Sequence, residues 1–107
     1  MPRATVLVFT NCADPAREKE FNDWYDNTHV PDVLETPGFV TCTRYQLAGD
    51  PGPGQAKFLS VYEVESDDLA STMAGLQQRV AELAAQGRII DFIRLASLAP
   101  YRELSRH

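Results

Sequence analysis

Apolar positions recur along this chain with two alternating periods, and the alternation gives an order of elements. From Ala4 to Thr10 the run ATVLVFT places Val6 and Val8 on one side of an extended strand and Leu7 and Phe9 on the other. Asn11 to Asp14 turns the chain, and Asp14-Pro15 reads as an N-cap followed by proline at the first helical position. A first helix is predicted from there to about Thr28. Phe21, Tyr25 and His29 fall at i, i+4 and i+8, with Trp24 beside them, so they share the face that would be buried. Pro31 is expected to unsettle the helix at Val30, and Asp32 to cap a short turn running to Glu35.

Pro37-Gly38 is a breaker that opens a second strand, Phe39 to Leu47. Strict alternation puts Phe39, Thr41, Thr43, Tyr45 and Leu47 on one face and Val40, Cys42, Arg44 and Gln46 on the other. The Gly/Pro segment 49–54 lacks phosphate-cradle spacing and reads as turn chemistry. Lys57 to Val64 is the third strand, with Phe58, Ser60 and Tyr62 opposite Leu59 and Val61. Ser66, followed by Asp67 and Asp68, is expected to cap a second helix. Leu69, Met73, Leu76, Val80 and Leu83 then form the strongest amphipathic stripe in the chain, closed by Gly87. Arg88 to about Tyr101 is the fourth strand.

The order β, α, β, β, α, β is that of an α+β ferredoxin-like fold: a four-stranded antiparallel sheet with two helices on one face. The other face poses a problem, because strands one, three and four are apolar there as well, whereas a half-solvated sheet alternates apolar with polar. The simplest cover is a second copy of the same sheet, in a two-fold homodimer.

Composition narrows the class. A chain of 107 residues is expected to form one domain, residues 1–107. Its net charge of −5 argues against nucleic acid or an anionic membrane surface as a partner. With no apolar run long enough for a membrane span and no signal peptide, the expected location is cytoplasmic. Cys12 and Cys42 lack metal-binding spacing and read as reduced thiols; no metal site is expected.

The run F-x-x-W-Y-x-x-x-H-x-P-x-x-x-x-x-P-G-F followed by R-Y, at Phe21, Trp24, Tyr25, His29, Pro31, Pro37, Gly38, Phe39, Arg44 and Tyr45, resembles the EthD-like branch of the dimeric α/β barrel superfamily. The resemblance implies a pocket between each subunit's own sheet and helices, bordered by the histidine at position 29. Its walls would be Trp24, Tyr25 and Val33 from the first helical region, Phe9 from strand one, and Thr41, Thr43 and Tyr62 from strands two and three. Tyr45 is available as a hydroxyl partner if its face of strand two meets the helices; if the other face does, Cys42 and Arg44 take its place.

The chemistry expected of such a site is proton transfer without a cofactor, of cyclase, isomerase or lyase type. Its substrate would be a small hydrophobic metabolite, aromatic, polyketide-like or lactone-like. His29 would act as general base or acid, its imidazolium favoured at a helix C-terminus and its ring opening onto an enclosed apolar hollow. Asp32 or Asp26 would orient the ring, and Tyr45, with Tyr62 as the alternative, would donate to a developing enolate oxygen. Two rivals stand beside this: a monooxygenase, cofactor-free or haem-dependent with His29 as axial ligand, and an accessory protein that sequesters a small molecule.

Overall fold

The structure, a computed structural model, describes residues 2–107. Strands β1 (Arg3–Cys12), β2 (Phe39–Gln46), β3 (Phe58–Glu65) and β4 (Ile93–Arg102) form one antiparallel sheet in the order β2-β3-β1-β4. After β1 come a short 3-10 turn (Pro15–Arg17), α1 (Glu18–Trp24), a π-helical turn (Tyr25–His29) and α2 (Val30–Val33); α3 (Leu69–Ala85) joins β3 to β4. The ferredoxin-like α+β arrangement read from the periodicity is the one observed.

The helices cover one face of the sheet, and two apolar clusters fix them there. Val6 and Val8 of β1, Phe39 of β2 and Tyr62 and Val64 of β3 pack with Val33 and Leu76. Phe21 and Tyr25 pack with Phe58 and Phe92 beneath α1. On the opposite face Leu7 and Phe9 stand beside Leu59 and Val61, and Tyr45 and Tyr101 are 54% and 52% exposed.

Four local expectations are corrected. The first helical region does not stop before Pro31. Proline cannot donate to the carbonyl four residues back and its ring crowds that carbonyl, and the chain meets this with a wider turn: the Val30 N–H donates to Tyr25 O, five residues back. Helical backbone then continues through Pro31 to Val33. Asp32 consequently lies inside the first turn of α2 and caps nothing. At α3 the N-cap is Asp68, whose Oδ1 accepts from the Ser71 N–H at 3.2 Å, while Ser66 Oγ accepts from the Asp68 N–H and the Thr72 hydroxyl. Finally, β4 begins at Ile93 rather than Arg88. The preceding residues are anchored as a connection: Trp24 Nε1 donates to Arg88 O at 3.0 Å, Ala13 N–H donates to Phe92 O at 2.8 Å, and the Phe92 ring enters the second cluster.

Which side chains of β2 face the helices depends on one irregularity near its start. Phe39 pairs with Val64, but Thr41 pairs with Glu63, so Val40 is an extra residue bulged out between them, 48% exposed. One inserted residue reverses the phase of all that follow. Phe39, Cys42 and Arg44 therefore face the helices, and Thr41, Thr43 and Tyr45 face away, the reverse of what strict alternation from Phe39 predicts for the last three.

Gly38 sets up this bulge. Its φ is +92°, and a Cβ there would lie 3.1 Å from Glu65 O and 3.3 Å from Thr72 Cγ2. Gly38→Ala is expected to cost at least about 1 kcal/mol in urea unfolding, since both backbone strain and crowding oppose it. Gly54→Ala is the control: φ is +77° there too, but nothing lies within 4 Å, so the crowding contribution is missing and the smaller loss is expected.

Candidate functional site

The π turn determines how His29 sits. Five residues along a regular α-helix leave two side chains about 140° apart, but the wider turn brings Trp24 and His29 into register. Their rings stack at 4.6 Å with planes 18° apart, and the Tyr25 ring meets the imidazole edge-on at 5.0 Å. The ring is half-buried, and Nδ1 is enclosed with no hydrogen-bond partner. Burial lowers the His29 pKa from 6.5 to about 4; Asp32 pulls it upward and Arg44 pushes it further down. The imidazole is thus neutral at pH 7. The favoured imidazolium expected from a helix C-terminus is overturned because the helix does not end at His29, so no free carbonyls are gathered there.

Beneath the helices the sheet contributes Cys42 and Arg44 from β2 and Ser60 and Tyr62 from β3, with Cys42 opposite Tyr62 and Arg44 opposite Ser60. The Arg44 guanidinium carbon lies 4.1 Å from the Tyr25 ring centroid. Its Nη1 donates to Asp26 Oδ1 at 3.0 Å and its Nη2 to Asn22 Oδ1 at 2.8 Å, but its Nε is enclosed without a partner. The hydroxyls of Tyr25 and Tyr62, 1% and 2% exposed as residues, make no hydrogen bond of good geometry, although they lie near each other and near Ser60 and Cys42. Burial raises the pKa of both phenols and of the Cys42 thiol, so all three stay protonated.

Four enclosed polar atoms on the helix-covered side of the sheet lack a hydrogen-bond partner: Tyr25 Oη, Tyr62 Oη, Arg44 Nε and His29 Nδ1. Each such atom costs about 1–3 kcal/mol if nothing meets it, and native structures contain few. This cluster is the strongest sign of a ligand site in the chain.

The residues predicted for the site divide between the two faces of the sheet. His29, Trp24 and Tyr25 come together, and Tyr62 lies on the same side of the sheet, near Tyr25. Val33 is on the same side but is 3% exposed and packed into the first cluster. Asp32 does not bond His29; its carboxylate takes Arg88 at 2.6 Å, with Arg79 at 3.9 Å. Phe9, Thr41, Thr43 and Tyr45 are on the far face, where Phe9 lines a depression of about 390 Å³ with Leu47, Ala56 and Ala96. Tyr45 thus leaves β2 on the far face, and Cys42 and Arg44 stand on the helix side in its place. Sequence reasoning missed Asn22 altogether and held Arg44 only as an alternative. The one arginine in β2 was the available signal.

The expected hollow beside the imidazole is also corrected. Of five surface cavities bordered by described residues, none is lined by His29, Trp24, Tyr25 or Tyr62. The Trp24 and Tyr25 rings lie against the imidazole there, with centroids 4.6 and 5.0 Å away. The cavity nearest the cluster is a surface depression of about 230 Å³ lined by Asn22, Asp26, Arg44, Tyr45, Gln46 and Phe58. Arg44 is the residue common to the depression and the buried cluster. Among the described residues no group of three metal-binding side chains is found, and no helix is long and apolar enough to cross a membrane.

The family profile described as a domain of unknown function, DUF4286, matches residues 5–87. The chain belongs to the DUF4286 family. The DUF4286 match runs from β1 through α3 and takes in every residue of the cluster. No curated protein matches the chain in sequence. Among solved structures, an ethyl tert-butyl ether degradation (EthD) family protein from Bacillus halodurans superposes with a TM-score of 0.59 at 16% identity, covering 97% of this chain and 100% of that one. A dimeric ferredoxin-like protein from an uncultured marine organism gives 0.66 at 11% identity, covering 100% of both. The haem-degrader MhuD from Mycobacterium tuberculosis, with two haems bound, gives 0.64 at 17% identity, covering 99% of both. These likenesses show a shared fold, the ferredoxin-like α+β arrangement of this DUF4286 chain.

Proposed function

We propose that this protein is a cofactor-independent acid/base enzyme of cyclase, isomerase or lyase type. Its substrate is a small hydrophobic metabolite, aromatic, polyketide-like or lactone-like, that carries an enolisable carbonyl. The observation that carries this reading is the cluster of four enclosed polar atoms without partners. Three are donors, suited to an oxygen on which negative charge develops, and the fourth belongs to a neutral imidazole able to accept a proton. Water excluded from this interior strengthens each contact. A substrate enters by way of the Arg44 depression and takes the space now closed by side chains. In the same reading the apolar far face of the sheet is covered by a second copy of the chain; the marine protein of the same fold is named as dimeric.

His29 takes the proton. Tyr62 and Tyr25, held protonated by burial, donate to the enolate oxygen, and Trp24 fixes the imidazole plane by stacking on it. Asp32 steadies the developing imidazolium through space, without a direct bond.

The test uses 1-phenylbutane-1,3-dione, an apolar β-diketone. Wild-type protein is expected to accelerate deuterium exchange at its central carbon, as followed by proton NMR. His29→Gln should lower the exchange rate by about 10² or more while leaving binding of the diketone within a few fold. The apparent pKa governing kcat/KM is expected near 4, the value for the free enzyme. Equal exchange rates for the two proteins, with binding retained, would sink the catalytic reading and leave a protein that sequesters its ligand.

A further inference from the structure

The interior cluster is unbalanced in its hydrogen-bonding character. The Arg44 side chain is 14% exposed and permanently charged, and among the described residues its one carboxylate partner is Asp26, which is 61% exposed. The ion pair and the bond to Asn22 use the two terminal nitrogens. Nε is unpaired, and the hydroxyls of Tyr25 and Tyr62 have only each other, Ser60 and Cys42 near them, none in good hydrogen-bond geometry. With both terminal nitrogens bonded to Asp26 and Asn22, the guanidinium keeps one donor, Nε–H, without a bonded acceptor.

Resting on the reading of this cluster as the ligand site, we propose that its ligand binds as an anion: a small apolar molecule whose carboxylate or enolate oxygen seats on Arg44 Nε between the Tyr25 and Tyr62 hydroxyls. The body of the ligand lies against the rings of Tyr25 and Phe58, which Arg44 already faces at 4.1 and 5.9 Å. The rest of the protein works against non-specific anion capture, since the chain carries a net charge of −5. Asp26 acts as a built-in competitor: with the site closed it holds the guanidinium outward, and an incoming anion draws the same charge inward. The acidic groups that oppose an anion here are Asp26 itself and Asp32, and Asp32 is engaged by Arg88.

The single tryptophan, Trp24, stacks on His29 and reports on the site by its emission. The probes are benzoate and hexanoate, each paired with its neutral amide. Wild-type protein is expected to bind each acid at least tenfold more tightly than its amide. Tyr62→Phe should weaken the acids severalfold, and Arg44→Gln should abolish the preference for them. Because Arg44→Gln alters a buried group and can lower stability, the decisive variant is Asp26→Asn at the exposed end of the ion pair. Removing the competing carboxylate should tighten both acids severalfold and leave the amides unchanged. Amides binding as tightly as acids, no gain with Asp26→Asn, or no binding of either acid would each overturn the proposal. An anion preference in a protein whose His29→Gln variant exchanges diketone protons normally would sink the enzyme reading alone. Exchange lost in His29→Gln, together with equal affinity for acids and amides, would sink this inference alone.

Discussion

Lowering the pH from 7 to 4 is expected to cost wild-type protein up to about 3 kcal/mol of stability through His29 alone. In the unfolded chain the imidazole takes its proton near pH 6.5; in the folded protein, where Trp24 and Tyr25 enclose it, it does so only near 4. Between those values the unfolded state binds more protons, so stability falls as the pH is lowered through this window and the loss levels off below about 4. At about 1.4 kcal/mol for each pKa unit, the gap sets the size of the effect. Carboxylates titrate in the lower part of the same range, so the measurement is the difference between wild type and His29→Phe in urea unfolding at several pH values. Phenylalanine keeps the ring stacked on Trp24 and has nothing to protonate. The difference should move in favour of the variant by up to about 3 kcal/mol between pH 7 and pH 4. Parallel curves would mean that His29 protonates in place without disturbing the fold, and that the enclosed neutral imidazole is not a property of the protein.

How much of this was legible in the sequence follows from which features are local. The order of strands and helices came from periodicity, because every core position of β1, β3 and α3 obeys one period throughout. Val6 and Val8 alternate, and Leu76 and Leu83 are one heptad apart. The candidate site was legible in its helical half, where Trp24, Tyr25 and His29 are neighbours in sequence. It was misread in its sheet half, where one bulged residue, Val40, reverses the face of everything up to Gln46 and exchanges Tyr45 for Arg44. Whether a strand carries a bulge depends on how its partner strand ends and on the turn at Gly38, neither of which a single strand's pattern records. Pro31 misled for a related reason. The usual consequence of proline assumes an α-helical turn before it, and a π turn removes that premise. Asp32 was drawn from the imidazole by Arg88, 56 residues further along the chain, a distance at which sequence reading has no purchase.

The far face of the sheet leads to the second large effect. Val61 stands at the centre of β3, paired with Leu7 on one side and Thr43 on the other, and its half-buried side chain belongs to the same apolar surface as Phe9 and Leu59. If two chains pack these faces about a two-fold axis, each copy contributes a Val61 to the shared core, and a substitution there acts twice. Val61→Lys would bury two ammonium groups in one apolar interior, each lacking a partner and each repelling the other. The expected result is a dimer at micromolar concentration for the wild type by sedimentation equilibrium, and for Val61→Lys a dissociation constant raised by at least about 10³, equivalent to about 4 kcal/mol. Circular dichroism of the variant keeps the helical signal if the cluster beneath α3 holds the protomer together unaided, since Val6, Tyr62, Val64 and Leu76 lie on the other side of the sheet from the change. Wild-type protein sedimenting as a single chain would leave Leu7, Phe9, Leu59 and Val61 facing water and would remove the dimer from the proposal. The His29 cluster would remain untouched by that result, because every atom in it comes from one chain.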